Sequence, residues 1–250
     1  MREPHDVERQ LSESTFFFLI LTFKNLIIMK KIVYLVTLVA ISLMFVQCEQ
    51  KETEKGSGKY KGHEYVDLGL PSGLKWATCN VGATTPEEYG DYFAWGEVEP
   101  KALYNWDTYK YQGATLLKYY YKDNKIILDP EDDAATMNWG GKWRMPTREE
   151  INELVKNCKF LYVSKTDADG FAVCGWKVKG PNGNLIYLPA AGNMIGDTLD
   201  YEGSYGDYWS SSLGSDYDDY AYSLALNPDD AHGYNDNLRM WGFSVRPVFK

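Results

Sequence analysis

The chain has 250 residues, a formal net charge of −9 and 24 % charged side chains. That length suits one domain with a sizeable core, and the negative balance repels phosphate backbones, which argues against nucleic acid as a partner. Among its residues are 20 Tyr and 8 Trp; aromatic side chains favour strands and bury large areas, so most of them belong to a β-rich core and a few remain to stack on a ligand.

In residues 1–28 the apolar run Phe16 to Ile28 is broken by Lys24-Asn25, and a true start at Met29 makes these residues a mis-called start. Met29-Lys30-Lys31 then leads into the largely apolar stretch Ile32 to Val46, followed by Gln47-Cys48. A basic n-region before a short apolar h-region is a secretory signal, here residues 29–47. As a helix the apolar stretch spans only about 22 Å, short of the ~30 Å hydrocarbon core, which speaks against the alternative of an uncleaved anchor. The cysteine after it resembles the lipobox of bacterial lipoproteins, where the signal is cut before a cysteine that is then acylated. Phe45-Val46-Gln47 departs from that pattern in lacking the small residue before the cut. Cleavage leaves roughly 200 residues, one domain's worth. It removes five basic and four acidic side chains, so the mature part is one unit more negative than the whole.

Cys79, Cys158 and Cys174 then remain, enough for at most one disulfide, with free buried thiols as the equal alternative. No CxxC occurs and only His63 and His232 are left, which argues against structural zinc.

Residues 48–61 are polar, charged and Gly/Ser-bearing, and read as a tether to a domain at 62–250. Glu64 to Leu70 alternates as a strand with Val66, Leu68 and Leu70 on one face, and Leu74 to Thr78 follows a Pro71-Ser72-Gly73 turn. Asp129-Pro130-Glu131-Asp132 carries start signals of a short helix ending near Asn138 to Gly141. Thr147 to Glu150 is a capping box, and Ile151, Leu154, Val155 and Cys158 form the stripe of a second helix. Phe171 to Val178 and Leu185 to Leu188 make a hairpin; Tyr208 to Ser212, Ala221 to Leu226 and Gly242 to Phe249 supply further strands. Strands outnumber helices, so the class is α+β.

Asp216, Asp218, Asp219, Asp229 and Asp230 cluster in the loops between about Ile195 and Leu238, read as the ligand-holding region, with Asp216, Asp218 and Asp219 as candidate ligand-binding acids. They can offer oxygens to Ca²⁺, but no EF-hand spacing is present, and a solvated acidic loop is the preferred reading; no metal and no cofactor is implied. Tyr217 and Tyr220, flanked by acids, are candidate ligand-stacking residues; Trp209 joins them, with an inward-pointing strand position as its plainer role. Tyr234 and Trp241 lie in or beside the same loops. Arg144 and Arg246 sit in hydrophobic surroundings and read as buried or half-buried ion pairs bracing the fold. There is no GxSxG elbow, and a Cys79–His63–acid trio is not placed together by spacing alone.

Six motifs in order resemble the Fibrobacter succinogenes major paralogous domain family. They are Tyr65 to Ala77 (YVDLGLPSGLKWA), Gly90 to Glu97 (GDYFAWGE), Trp143 to Thr147 (WRMPT), Leu188 to Gly192 (LPAAG), Tyr208 to Ser212 (YWSSS) and Gly242 to Val248 (GFSVRPV), covering nearly all of the mature chain. The resemblance implies a secreted, often lipid-anchored domain of unassigned molecular function. By extension it implies a C-type-lectin-like fold with a twisted antiparallel sheet, two short helices, adjoining termini and long loops. The same wider fold holds the formylglycine-generating type of oxidase, but the cysteine pair near the C-terminus that its copper chemistry needs is missing here, and fold kinship does not carry chemistry. The expectation is an outer-membrane lipoprotein, held at the membrane by acylated Cys48, with a non-catalytic domain for a glycan or protein ligand. A structural or adhesive surface component comes second, and an enzyme third.

Overall fold

In the computed structural model, residues 56–120, 122–166 and 172–250 are described, together with Met29. The signal segment, Cys48 and most of the tether lie outside the described residues. Glu54–Lys250 form one compact unit, separate from Met1–Thr53. No described helix is long and apolar enough to cross a membrane.

Alternating sequence becomes antiparallel sheet. β1 (Gly58–Tyr60), β2 (His63–Asp67), β3 (Lys75–Ala77) and β14 (Val248–Phe249) form a four-stranded sheet in that order, so the first and last strands of the domain share it. The second sheet has the order β12 (Asp230–Leu238), β11 (Tyr220–Asn227), β10 (Gly206–Leu213), β13 (Phe243–Ser244), β4 (Tyr92–Phe93). A three-stranded sheet holds β5 (Lys159–Thr166), β6 (Ala172–Lys179) and β7 (Leu185–Pro189); β8 (Asn193–Ile195) and β9 (Thr198–Asp200) pair alone. All ladders are antiparallel except β10 with β13, where Tyr208 lies beside Ser244. The domain is α+β, with strands dominant.

β10 organises the interior. Its eight residues are all buried. Side chains alternate across a strand, so Tyr208 enters one core with Leu68, Trp76, Leu154, Trp176 and Leu188. Trp209 enters the other with Phe93, Trp95, Tyr104 and Phe243. The three serines after it are buried yet bonded: Ser210 Oγ donates to Tyr222 O at 2.7 Å, and Ser212 Oγ accepts from Arg148 N at 3.0 Å. The glycine of the LPAAG motif is a backbone requirement, because Gly192 has φ +60° and a Cβ there would lie 2.1 Å from Asp200 O.

α2 (Arg148–Asn157) carries the capping box as read: Thr147 Oγ1 accepts from Glu150 N at 3.3 Å, and Glu150 accepts from Thr147 N at 2.9 Å. Ile151 and Leu154 are buried, and Val155 and Cys158 pack against the same core. Arg144 forms its ion pair, bidentate to Glu150 at 2.7 and 2.5 Å.

Several expectations are corrected. Asp129 does not cap a helix; its carboxylate is held by Lys118 and Lys125. Pro130–Asp132 make one 3₁₀ turn, and Asp133 caps α1 (Ala134–Trp139) by accepting from Thr136 N at 2.8 Å. Arg246 has no carboxylate partner among the described residues: buried, it donates to Asn80 Oδ1 at 2.7 Å and to the carbonyls of Ala77 and Thr78 at 3.1 and 2.7 Å. Within Ile195 to Leu238 the strands read at Tyr208 to Ser212 and Ala221 to Leu226 are β10 and β11, but the loop reading fails at β9 and at β12, because pairing with β11 holds the polar run Asp230–Leu238 extended. Of the two alternatives left open for Cys79, Cys158 and Cys174, the structure holds the free thiols.

Candidate functional site

β11 separates the acids of this region into two ends, with residues 214–219 before it and Pro228-Asp229 after it. At the first end Asp216 and Tyr217 are exposed, and Asp218, Asp219 and Tyr220 are half-buried. The Tyr217 and Tyr220 rings lie 5.8 Å apart, tilted by 49°. Trp209 is not with them. It is fully buried, its indole donates to Phe93 O at 2.8 Å, and it stacks on Phe243 at 4.1 Å. This removes Trp209 from the ligand-stacking set, since a ring with no exposed face cannot meet a ligand. Trp241 is half-buried, 6.4 Å from Phe243.

Beneath this turn lies a residue the sequence did not disclose. Arg239 is 0 % exposed and donates to Tyr109 Oη at 2.9 Å, Tyr119 O at 2.9 Å, Asp218 O at 2.8 Å and Lys118 O at 3.1 Å. Its backbone N–H donates to Asp219 O at 3.0 Å. The guanidinium lies 4.8 Å from the Trp95 ring and 5.3 Å from the Tyr109 ring. Carbonyls and aromatic faces, rather than a carboxylate, satisfy this cation. The turn is therefore pinned from inside.

The acids of this turn form no metal-sized group; among the described residues the group of that kind is Asp129, Glu131 and Asp132. Ammonium groups already fill it, with Lys118 Nζ 2.7 Å from Asp129 and 2.5 Å from Asp132, and Lys110 Nζ 2.7 Å from Asp132. Lysines and tyrosines hold the Asp132 carboxyl well below the usual range against the opposing pull of burial.

The second end is built differently. Asn227 Oδ1 accepts from both Asp229 N and Asp230 N at 2.9 Å, an Asx turn closed by its own side chain. Pro228, Asp229 and Asp230 are exposed. Under the turn opens a cleft of about 260 Å³, its other wall formed by Val155 of α2, Phe160 and Tyr162 of β5, and Trp176 of β6. Trp176 is buried and donates from its indole to Asn227 O at 3.3 Å; Phe160 and Tyr162 are half-buried. Tyr162 Oη is occupied by Gly203 O at 3.0 Å, so its ring and not its hydroxyl is what the cleft meets. Aromatic rings facing carboxylates suit a hydroxyl-rich ring, which offers C–H faces to the first and hydroxyl donors to the second. The sequence reading named Asp229 and Asp230 only as acids, since nothing local shows that β5 and β6 fold beneath them.

On β10, Asp207 lies opposite Ala225 toward this end. It is buried, and Asn193 Nδ2 donates to it at 2.8 Å while Asn193 Oδ1 has no partner. Burial pushes the Asp207 carboxyl up to about 6.

A second cleft of about 340 Å³ brings together His63, Glu64 and Cys79 with Lys59, Thr84 and Trp139. His63 stacks flat on Trp139 at 3.6 Å, and burial followed by the charge of Lys59 lowers its pKa. Cys79 Sγ is 3.6 Å from Thr78 Oγ1, and no hydrogen bond joins it to His63 among the described residues. The nucleophile–base contact that thiol catalysis rests on is thus not formed.

No family model matches the chain, and no curated protein or solved structure is significantly similar to it.

Proposed function

We propose that the chain is a lipid-anchored bacterial envelope protein of the Fibrobacter succinogenes major paralogous domain family, whose C-type-lectin-like domain is a non-catalytic glycan-binding module. The anchor rests on the Met29 to Cys48 pattern, and places the domain at the outer membrane, facing the periplasm or the cell surface. The fold assignment draws support from the six ordered motifs, the two short helices and the presence of the first and last strands in one sheet. The observation that carries the binding reading is the cleft in which Phe160 and Tyr162 face Asp229 and Asp230. A pyranose ring fits that contrast, with its C–H face on the rings and neighbouring hydroxyls donating to the carboxylates. Screening the mature protein on a glycan array, followed by calorimetry on the hits, tests it. Binding that Asp229→Ala weakens about tenfold supports the cleft; no hit over a broad panel overturns the reading.

A second reading, an enzyme, has one observation in its favour, the shared cleft of His63 and Cys79. A turnover that alkylation of Cys79 destroys would favour it.

A further inference from the structure

The β5–β6–β7 sheet has an outer face that the glycan reading does not use. Its register sets Lys159, Lys179 and Leu185 in one row, and Leu161, Lys177 and Tyr187 in the next. The inner face turns Phe160, Trp176, Val178 and Leu188 to the core. On the outer face Lys159, Lys177 and Lys179 are exposed, Leu161 is 61 % exposed and Leu185 42 % exposed. None of the three lysines has a carboxylate partner among the described residues, although the chain carries 35 acids against 26 bases. Beside the rows runs a groove of about 540 Å³, lined by Val163, Leu185, Tyr187 and Pro86, with Lys177 and Glu87 at its polar edge. Tyr187 Oη is buried there without a partner.

The place where the tether enters the domain is next to this face. Gly56 O accepts from Asp67 N at 3.0 Å. Asp67 O in turn accepts from Asn182 Nδ2 and Asn184 Nδ2, each at 2.8 Å. Those asparagines form the β6–β7 turn, whose two bases are Lys179 and Leu185. Seven residues separate Cys48 from Gly56, a reach of at most roughly 30 Å when fully extended.

We propose that this face docks on the anionic phospholipid surface of the membrane in which Cys48 is acylated. The proposal rests on the lipid-anchor part of the proposed function and goes beyond it. Lys159, Lys177 and Lys179 meet headgroup phosphates, and Leu161 and Leu185 reach the boundary of the acyl chains. Charge complementarity selects this occupant: the two rows hold Lys159, Lys177 and Lys179 and no acid, in an otherwise acidic protein.

The test reconstitutes the full acylated protein into vesicles of phosphatidylglycerol with phosphatidylethanolamine, or of phosphatidylcholine alone. A water-soluble amine reagent labels the lysines, with exposed Lys142 as internal control. Labelling of Lys159, Lys177 and Lys179 falls at least roughly fivefold on the anionic vesicles, the factor one basic residue near such a surface supplies. It recovers at about 1 M salt, where charges are screened beyond ~3 Å, while Lys142 stays constant. Equal labelling on both vesicle types overturns the proposal, and so does protection that follows protein concentration without lipid, which assigns the face to a second copy. Failure to float with phosphatidylcholine vesicles marks loss of the anchor; flotation with uniform labelling marks failure of the face alone.

Discussion

At the Tyr220 end of β11 the turn is held from beneath by Arg239, whose side chain takes the carbonyls of Lys118, Tyr119 and Asp218. At the Asn227 end the turn is closed by its own side chain and hangs over a cleft. Both ends are short, acidic and flanked by aromatics. What differs is the layer below, a buried cation in one case and an open space in the other. Acids and tyrosines in a turn therefore say little about binding until the floor of the turn is known.

The comparison breaks most visibly at Arg239. Arg239→Ala leaves three carbonyls and the Tyr109 hydroxyl without their donor, and is expected to cost about 3–5 kcal/mol in urea denaturation. A loss under about 1 kcal/mol would mean that the turn does not depend on its floor. Asp207 probes the opposite end. Its folded carboxyl titrates near 6, above its ordinary 3.8, so the unfolded state loses its proton first as pH rises. Stability therefore falls across the window from about 4 to 6, and above it the full penalty stands. Asp207→Asn removes that penalty and gives Asn193 Oδ1 a donor within the pair. The variant is expected to gain about 2 kcal/mol at pH 7 and almost nothing at pH 4, read by thermal melts at both values. Asp229→Ala is expected to leave stability within about 0.5 kcal/mol while weakening glycan binding about tenfold in calorimetry, close to 1.4 kcal/mol. The smallest effect belongs to Tyr217→Ala at the pinned end, 66 % exposed in the parent. Melting and glycan titration should both stay within about 0.5 kcal/mol of the parent; a loss of binding there would return the site to the Tyr220 end.

Local signals were readable where one segment decides its own shape. The Thr147–Glu150 box starts α2, and the alternation of Cys174, Trp176 and Val178 marks the buried face of β6. β12 was hidden because its nine residues, DAHGYNDNL, show no apolar period and become a strand only through β11. Asp129 looked like a cap because nothing in its sequence shows that Lys118 and Lys125 claim its carboxylate. The cleft joins α2, β5, β6 and the β11–β12 turn, and its lining runs from Val155 to Ala231. No window along the chain contains such a site. Arg246 was expected to have an acid, and finds Asn80 and two carbonyls from the end of β3 instead.

β14 has a bearing on how the molecule comes into being. Val248 pairs with Trp76 and is tied to Arg144 by two main-chain bonds of 2.9 and 3.0 Å. A polypeptide delivered from its N-terminus presents β1 to β3 long before their fourth member exists. That sheet stays unfinished until translation reaches Phe249, and the loop it closes is nearly the length of the domain, an arrangement that slows folding. Until that tail arrives the first three strands leave β3 as an open edge, and the sheet closes only when Val248 reaches Trp76.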